Sequence, residues 1–255
     1  MTRVLAFGDD HSPGAEVCWQ WICDQVWTGW ALEVVTAVPP PDMRPVDPEL
    51  AELHEWAPDQ PRDPGPAGFV SVVHLTAAVD PRVALISKPW DLVAVGPKGG
   101  GFLKRMSIGS TADWLLRDPV SPLVIARHPG RVREVLVAAD GSDAVASAVG
   151  TLAMMPLVEG ARVRVVSVDD GATDTEKAHK DVTDALSGSG AELETEVVEG
   201  EATRALVTTI EETPPDLVVL GARGTGGFKR LVLGSTTAAI ASATDRTILV
   251  AHAPS

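Results

Sequence analysis

The chain has 255 residues, of which 45% are hydrophobic and 22% charged, and its formal net charge is −14. That length holds one large domain or two ordinary ones, with ample apolar material for a core. The acidic balance excludes general binding to nucleic acid or anionic membrane, because the averaged field repels both. No apolar run approaches the roughly 20 residues that span a bilayer, and the start MTRVLAFGDD reaches an aspartate pair too soon for a signal-peptide core. The expectation is a soluble cytoplasmic protein.

In chain order, RVLAFGDD (3–10) reads as a strand running into the aspartates Asp9 and Asp10. Trp19, Ile22, Cys23, Val26 and Trp30 then recur at helical spacing, which predicts a helix with one buried stripe. Cys18 and Cys23 lie five residues apart on it and point about 140° apart, so they are expected to stay reduced. All seven tryptophans precede residue 130 and are expected to fill a core, with packing against the second half as their other use. Prolines crowd residues 39–68 and leave room only for a short helix around 48–56. DLVAVG (91–96) is a strand that enters the glycine-dense loop GPKGGGFLKRMSIGS (96–110), followed by a small-residue helix and the β-rich run SPLVIARHP (121–129).

The second half repeats this plan more regularly. EVLVAADG (134–141) is a strand, and SDAVASAVGTLAMM follows as a helix with Ser142 as N-cap. RVRVVSV, a helix over 173–187 with Gly188 past its end, AELETEVVEG and the helix ATRALVTTIEE come next. PDLVVLG (215–221), the loop GARGTGGFKRLVLGS (221–235), the helix STTAAIASAT and the strand TILVA complete it. This β-α-β-α-β-α-β-α-β order predicts a five-stranded parallel sheet with helices on both faces. Gly96, Gly99, Gly109 and Ser110 match Gly221, Gly224, Gly234 and Ser235 at a constant offset of 125, whereas pairing RVLAFGDD with EVLVAADG sets Asp9 opposite Asp140 at an offset of 131. Two domains follow, 1–130 and 131–255, each doubly wound and Rossmann-like.

The shared pattern G-x2-G-x9-G-S sits directly after a strand and ends at a helix start. Ligands bind at strand ends in such sheets, and a helix N-terminus attracts phosphate. The glycines allow close approach of the backbone. Ser110 and Ser235 can cap the next helix and donate to phosphate, and Lys98, Lys104, Arg105, Arg223, Lys229 and Arg230 supply countercharge. A polyphosphate suits this environment; a pair of tight turns is the plainer alternative. Neither loop is a P-loop or a G-x-G-x-x-G fingerprint, there is no G-x-S-x-G elbow, and the six histidines show no metal spacing.

With Asp140 in VLVAADGS, with Gly221, Gly224, Gly234 and Ser235, and with the first copy Asp9, Gly96, Gly99, Gly109 and Ser110, the chain resembles the universal stress protein family in its tandem two-domain form. The resemblance covers nearly the whole length and is weakest over 39–80. It implies ATP binding, with Mg2+, by an adenine-nucleotide-type α/β fold. The aspartate after the first strand and the main chain ending the second hold adenosine, which implies Asp9 and Asp140, Ala37 and Val168. The glycine loop wraps ribose and phosphates, which implies Gly96, Lys98, Gly99, Gly109, Ser110 and Thr111, and Gly221, Arg223, Gly224, Gly234, Ser235 and Thr236. It also implies that PLVIA and TILVA pair to join the halves, with a homodimer and a signalling partner as further possibilities.

The expected function is therefore a nucleotide-dependent stress-response or regulatory protein. No catalytic residue is assigned, since no general base and no carboxylate pair for a metal stand near the loops, and ATP hydrolysis would be slow at most. An ATP-using enzyme and an interaction module that no longer binds nucleotide are the rivals.

Overall fold

The computed structural model describes residues 2–37, 62, 68–97, 109–117, 120–223 and 233–253. The expected helix around 48–56 and the loop residues Lys98, Gly99 and Gly224 lie outside these. Ten strands are present among the described residues: β1 (Arg3–Gly8), β2 (Trp30–Ala37), β3 (Ser71–Ala77), β4 (Leu92–Val95), β5 (Leu123–Ile125), β6 (Glu134–Ala138), β7 (Arg162–Asp169), β8 (Glu192–Glu199), β9 (Leu217–Gly221) and β10 (Thr247–Ala251). The helices are α1 (Pro13–Asp24), α2 (Pro81–Leu85), α3 (Ser110–Arg117), α4 (Asp143–Met154), α5 (Thr175–Leu186), α6 (Ala202–Glu212) and α7 (Ser235–Ala243).

The strands form one sheet in the order β3-β2-β1-β4-β5-β10-β9-β6-β7-β8. Each block of five is parallel throughout and reverses direction of winding beside its first strand, which is the doubly wound arrangement. The blocks meet where β5 and β10, the two strands expected to pair, run antiparallel with Val124 opposite Leu249. The central strands are short apolar runs such as LVVLG, buried on both faces, because helices cover both sides. Leu5, Phe7, Val135 and Val137 face a core shared with α1, α4 and α5. Ala6, Leu136 and Ala138 face the opposite core, with α2, α3, α6 and α7.

The predicted helical stripe needs one correction. α1 ends at Asp24, and Gln25 turns extended, so Val26 is outside the helix and exposed while Trp30 opens β2. Gly29, at φ +81°, makes the turn that starts the strand. Trp19, Trp21, Trp27, Trp30 and Trp90 are buried, as core filling requires. Trp30 also reaches the other block, where its indole N–H donates to the Met154 carbonyl at 3.3 Å. Buried Gln25 fastens the linker, donating to the Gly130 carbonyl and accepting from the Val132 N–H. Neither cysteine forms a disulfide among the described residues.

Candidate nucleotide site at the strand ends

In the carboxyl block, β6 ends at Ala138 and the chain turns at once into α4. Asp140 Oδ1 accepts from the Ser142 N–H at 2.9 Å, and Gly141 supplies φ +73°. Ser142 is the N-cap, accepting from the Val145 N–H, and its hydroxyl donates to the Arg223 carbonyl at 3.2 Å. The first turn of α4 is thereby tied to the start of the glycine loop. Gly221 lies against that turn so closely that a Cβ would sit 2.8 Å from the Val145 nitrogen. Helix packing therefore requires a glycine here.

The loop's two ends are also tied together. The Gly234 N–H donates to the Ala222 carbonyl at 2.8 Å, and the Thr237 hydroxyl to the Gly221 carbonyl at 2.7 Å. Ser235 does not cap α7. Gly234 occupies the N-cap with no side-chain bond, so Ser235 is the first helical residue and is exposed. Among the described residues, the N-cap of α7 offers its first-turn N–H groups no side-chain acceptor. Thr236 lies 3.4 Å, hydroxyl to hydroxyl, from Thr203 at the start of α6. Arg223 is half-buried, and its Nε has no hydrogen-bond partner among the described residues. Val168, near the end of β7, is buried. Asp140, Ser142, Arg223, Gly234, Ser235 and Thr236 therefore gather at the carboxyl ends of β6 and β9.

The amino block builds the same turn with other residues. The ladders pair Leu5 with Leu92 and Val135 with Leu217, so β1 and β6 correspond at an offset of 130 rather than 131. A slip of one residue exchanges the faces of a strand. The counterpart of Asp140 is therefore Asp10, whose Oδ1 accepts from the Ser12 N–H at 3.0 Å as Asp140 does from Ser142. Ser12 likewise caps α1. Asp9 stands where the other block has Ala139, as their bonds to Val35 and Val166 on the neighbouring strands show. The sequence pairing missed this, although Asp10-His11-Ser12 and Asp140-Gly141-Ser142 share Asp-x-Ser. His11 takes φ +56°, the conformation glycine provides at 141.

Asp9 is 2% exposed and gripped by Arg62, whose Nε and Nη2 reach its two carboxylate oxygens at 2.8 and 3.0 Å. Arg62 also bonds Glu16 and lies 5.7 Å over the Trp19 ring. Burial alone would lower the guanidinium pKa, but Asp9 and Glu16 hold it above the ordinary arginine value. The neighbouring Cys18 thiol is pushed well up by burial and by the charge of Asp9, which keeps it protonated. Gly14 and Gly96 touch backbone to backbone: a Cβ on Gly96 would lie 2.0 Å from the Gly14 carbonyl oxygen. Ala37 ends β2 and is buried. Gly109 accepts from the Asp113 N–H as Gly234 does from Ala238, so Ser110 and Thr111 open α3 as Ser235 and Thr236 open α7.

A separate polar cleft of about 760 Å³, lined by Gln25, Arg131, Glu134, Arg162 and Glu192, opens at the amino ends of β6, β7 and β8. It is at the opposite end of the sheet from the glycine loops. Among the described residues no cluster of acidic, histidine and cysteine side chains is arranged to hold a metal ion, and no helix is long and apolar enough to cross a membrane.

Residues 172–252 match the model of the universal stress protein family. A universal stress protein of Synechocystis sp. is 27% identical over 184 residues, which are 71% of this chain and 64% of the relative; the chain thus spans less than two thirds of that protein's length. Among solved structures, a universal stress protein of Archaeoglobus fulgidus superposes over the whole of both chains with a TM-score of 0.76 at 21% identity. A functionally unknown protein of Pseudomonas aeruginosa superposes with a TM-score of 0.61 at 17% identity, covering 98% of this chain and 92% of that one. These likenesses extend the parallel fold of the carboxyl block to the whole chain. Residues 172–252 thus carry the pattern of the universal stress protein family, and the whole chain shares its fold with a solved member of that family.

Proposed function

We propose that the chain is a cytoplasmic, ATP-binding regulatory protein of two domains, 1–130 and 131–255, whose nucleotide-dependent state serves a stress response. The observation that carries this reading is the donor set of the carboxyl block. Among the described residues, a start of α7 without a side-chain cap, the Ser235 and Thr236 hydroxyls and an Arg223 Nε without a hydrogen-bond partner lie at the strand ends where Asp140 follows β6. Donors of this kind fit phosphate oxygens, and a carboxylate accepts from ribose hydroxyls or an adenine amino group. Val168 would offer main-chain groups to the base, with Gly221, Arg223 and Gly234 around the phosphates. Mg2+ would enter with the nucleotide, its charge offsetting that of the phosphates. In the amino block Asp10, Ala37, Gly109, Ser110 and Thr111 would take the same parts. Asp9 has no free carboxylate oxygen for a ligand while Arg62 holds both.

The reading is binding without efficient turnover. A hydrolysis rate well above about 1 s⁻¹, the low end for ordinary enzymes, would favour the ATP-using enzyme instead. Calorimetric titration of nucleotide-stripped protein with Mg·ATP tests the assignment. Asp140→Ala is expected to remove the carboxyl-block site and Asp10→Ala the amino-block site, each weakening binding by at least about tenfold, or 1.4 kcal/mol. If Asp9→Ala abolishes a site and Asp10→Ala does not, the assignment of Asp10 is wrong. No binding at all would leave the interaction module as the reading.

A further inference from the structure

The carboxyl-block site is braced from the amino block. Arg127 follows β5, is 0% exposed, and has no carboxylate within ion-pair distance among the described residues. Its guanidinium instead donates to the carbonyls of Thr244 and Ala241 (the latter at 2.5 Å), and its backbone N–H donates to Thr247 Oγ1 at 3.1 Å. Those carbonyls belong to the last turn and C-cap of α7. Carbonyls at a helix C-terminus carry the negative end of the macrodipole, so a cation there both satisfies orphan acceptors and compensates the dipole. Burying an arginine without an ion-pair partner is costly, and the helix end, helped by the more distant charge of Asp245, compensates it here. The cost shows in the guanidinium pKa, which burial pulls down to about 10.

The other end of the same helix is part of the site. Gly234, Thr236 and Thr237 are bound to Ala222, Thr203 and Gly221 respectively. α7 has only nine residues, a rod of about 13 Å. It is held between Arg127 of one block and the glycine loop of the other.

We infer that Arg127 is a positioning residue for the carboxyl-block nucleotide site, so that a residue of the amino block sets the affinity of that site. This rests on the ATP-binding reading and adds to it a dependence between the blocks. Loss of the buried cation frees the C-terminal turn of α7 and loosens the donors at its other end. The effect is expected at the carboxyl-block site and not at the amino-block site.

The test is titration of the full chain with Mg·ATP in two backgrounds, Asp10→Ala to read the carboxyl-block site and Asp140→Ala to read the other. Arg127→Met is expected to raise Kd about tenfold in the first background and to leave it within about twofold in the second. Arg127→Lys keeps a buried cation and is expected to recover most of that loss. A folded Arg127→Met protein with unchanged Kd in both backgrounds, or an equal loss in both, overturns the inference while the ATP reading stands. Hydrogen exchange on wild-type protein gives a second measurement should Arg127→Met not fold. Mg·ATP is expected to protect the last turn of α7 and the segment around Arg127 as well as the loop, and protection confined to the first turn of α7 overturns the inference. Wild-type protein that binds no ATP overturns both readings together.

Discussion

The two blocks share a strand order and differ in how they close the turn after their first strand. In the carboxyl block, Ala139, Asp140 and Gly141 make that turn with small residues and a glycine in the left-handed region. In the amino block the same positions are Asp9, Asp10 and His11, with a buried carboxylate where the other has a methyl group. A buried carboxylate needs a partner, and the partner is Arg62, which comes from the proline-rich stretch. One polar residue at a core position thus binds Arg62, 53 positions away, to the β1–α1 turn. The difference teaches that two copies of one fold can keep their hydrogen-bond frame while acquiring separate dependencies.

The largest expected effect breaks that dependency. Arg62→Ala leaves the buried Asp9 carboxylate with the His11 N–H and a nearby imidazole but without its arginine, and a loss of about 3 kcal/mol is expected in chemical denaturation. Asp9→Ala in the same chain should restore most of it, because it recreates the arrangement at Ala139. If the double variant is as unstable as Arg62→Ala alone, Arg62 stabilises the fold through Trp19 and Glu16 rather than through Asp9.

The glycine at the end of the fourth strand of each block sharpens the comparison. In Gly96→Ala the new Cβ would meet the Gly14 carbonyl oxygen at 2.0 Å, so backbone must move, and about 2–3 kcal/mol is expected to be lost. In Gly221→Ala the nearest atom is the Val145 nitrogen at 2.8 Å, and about 1 kcal/mol is expected. Melting temperatures of the two variants give the order, and the reverse order would contradict the tighter contact in the amino block.

The smallest effect concerns helix starts and pH. Asp80 caps α2 and is held below its ordinary value of 3.8, first by the Arg82 guanidinium and then by the Arg82 N–H. Glu201 caps α6 and is held down by the N–H groups of Thr203 and Arg204. A carboxyl whose folded pKa is depressed contributes stability that is present above its ordinary value and lost as pH falls through the folded one. Asp80→Asn is therefore expected to cost about 0.5 kcal/mol at neutral pH, small because the pair is exposed, and nothing once acid has protonated the wild-type carboxyl. Denaturation curves at pH 7 and near pH 2 check the sign. A gap that widens in acid would contradict it.

Much of this was legible in the sequence. Strands such as EVLVA and TILVA were readable because strands buried on both faces must be continuously apolar. The helices of the carboxyl block were readable from period and caps, with Ser142 at the N-cap as expected. The repeat at a constant offset located both glycine loops and the helices that follow them. The stripe through Val26 and Trp30 failed because helical spacing continued across a turn that Gly29 imposes.

What the sequence determined by itself was therefore periodic and local: the alternation of elements, the caps and the loop pattern. Tertiary structure alone decided three things. The register against β4 and β9 made Asp10, not Asp9, the counterpart of Asp140, because an offset of one residue is invisible until the neighbouring strand fixes which face is buried. The close approach of strand ends to α1 and α4 gave Gly96 and Gly221 a packing role. The pairings Arg62–Asp9 and Arg127–Thr244 join residues 53 and 117 positions apart. Such partners are chosen by the desolvation of buried charge, which has no period along a chain and acts only once the chain has folded.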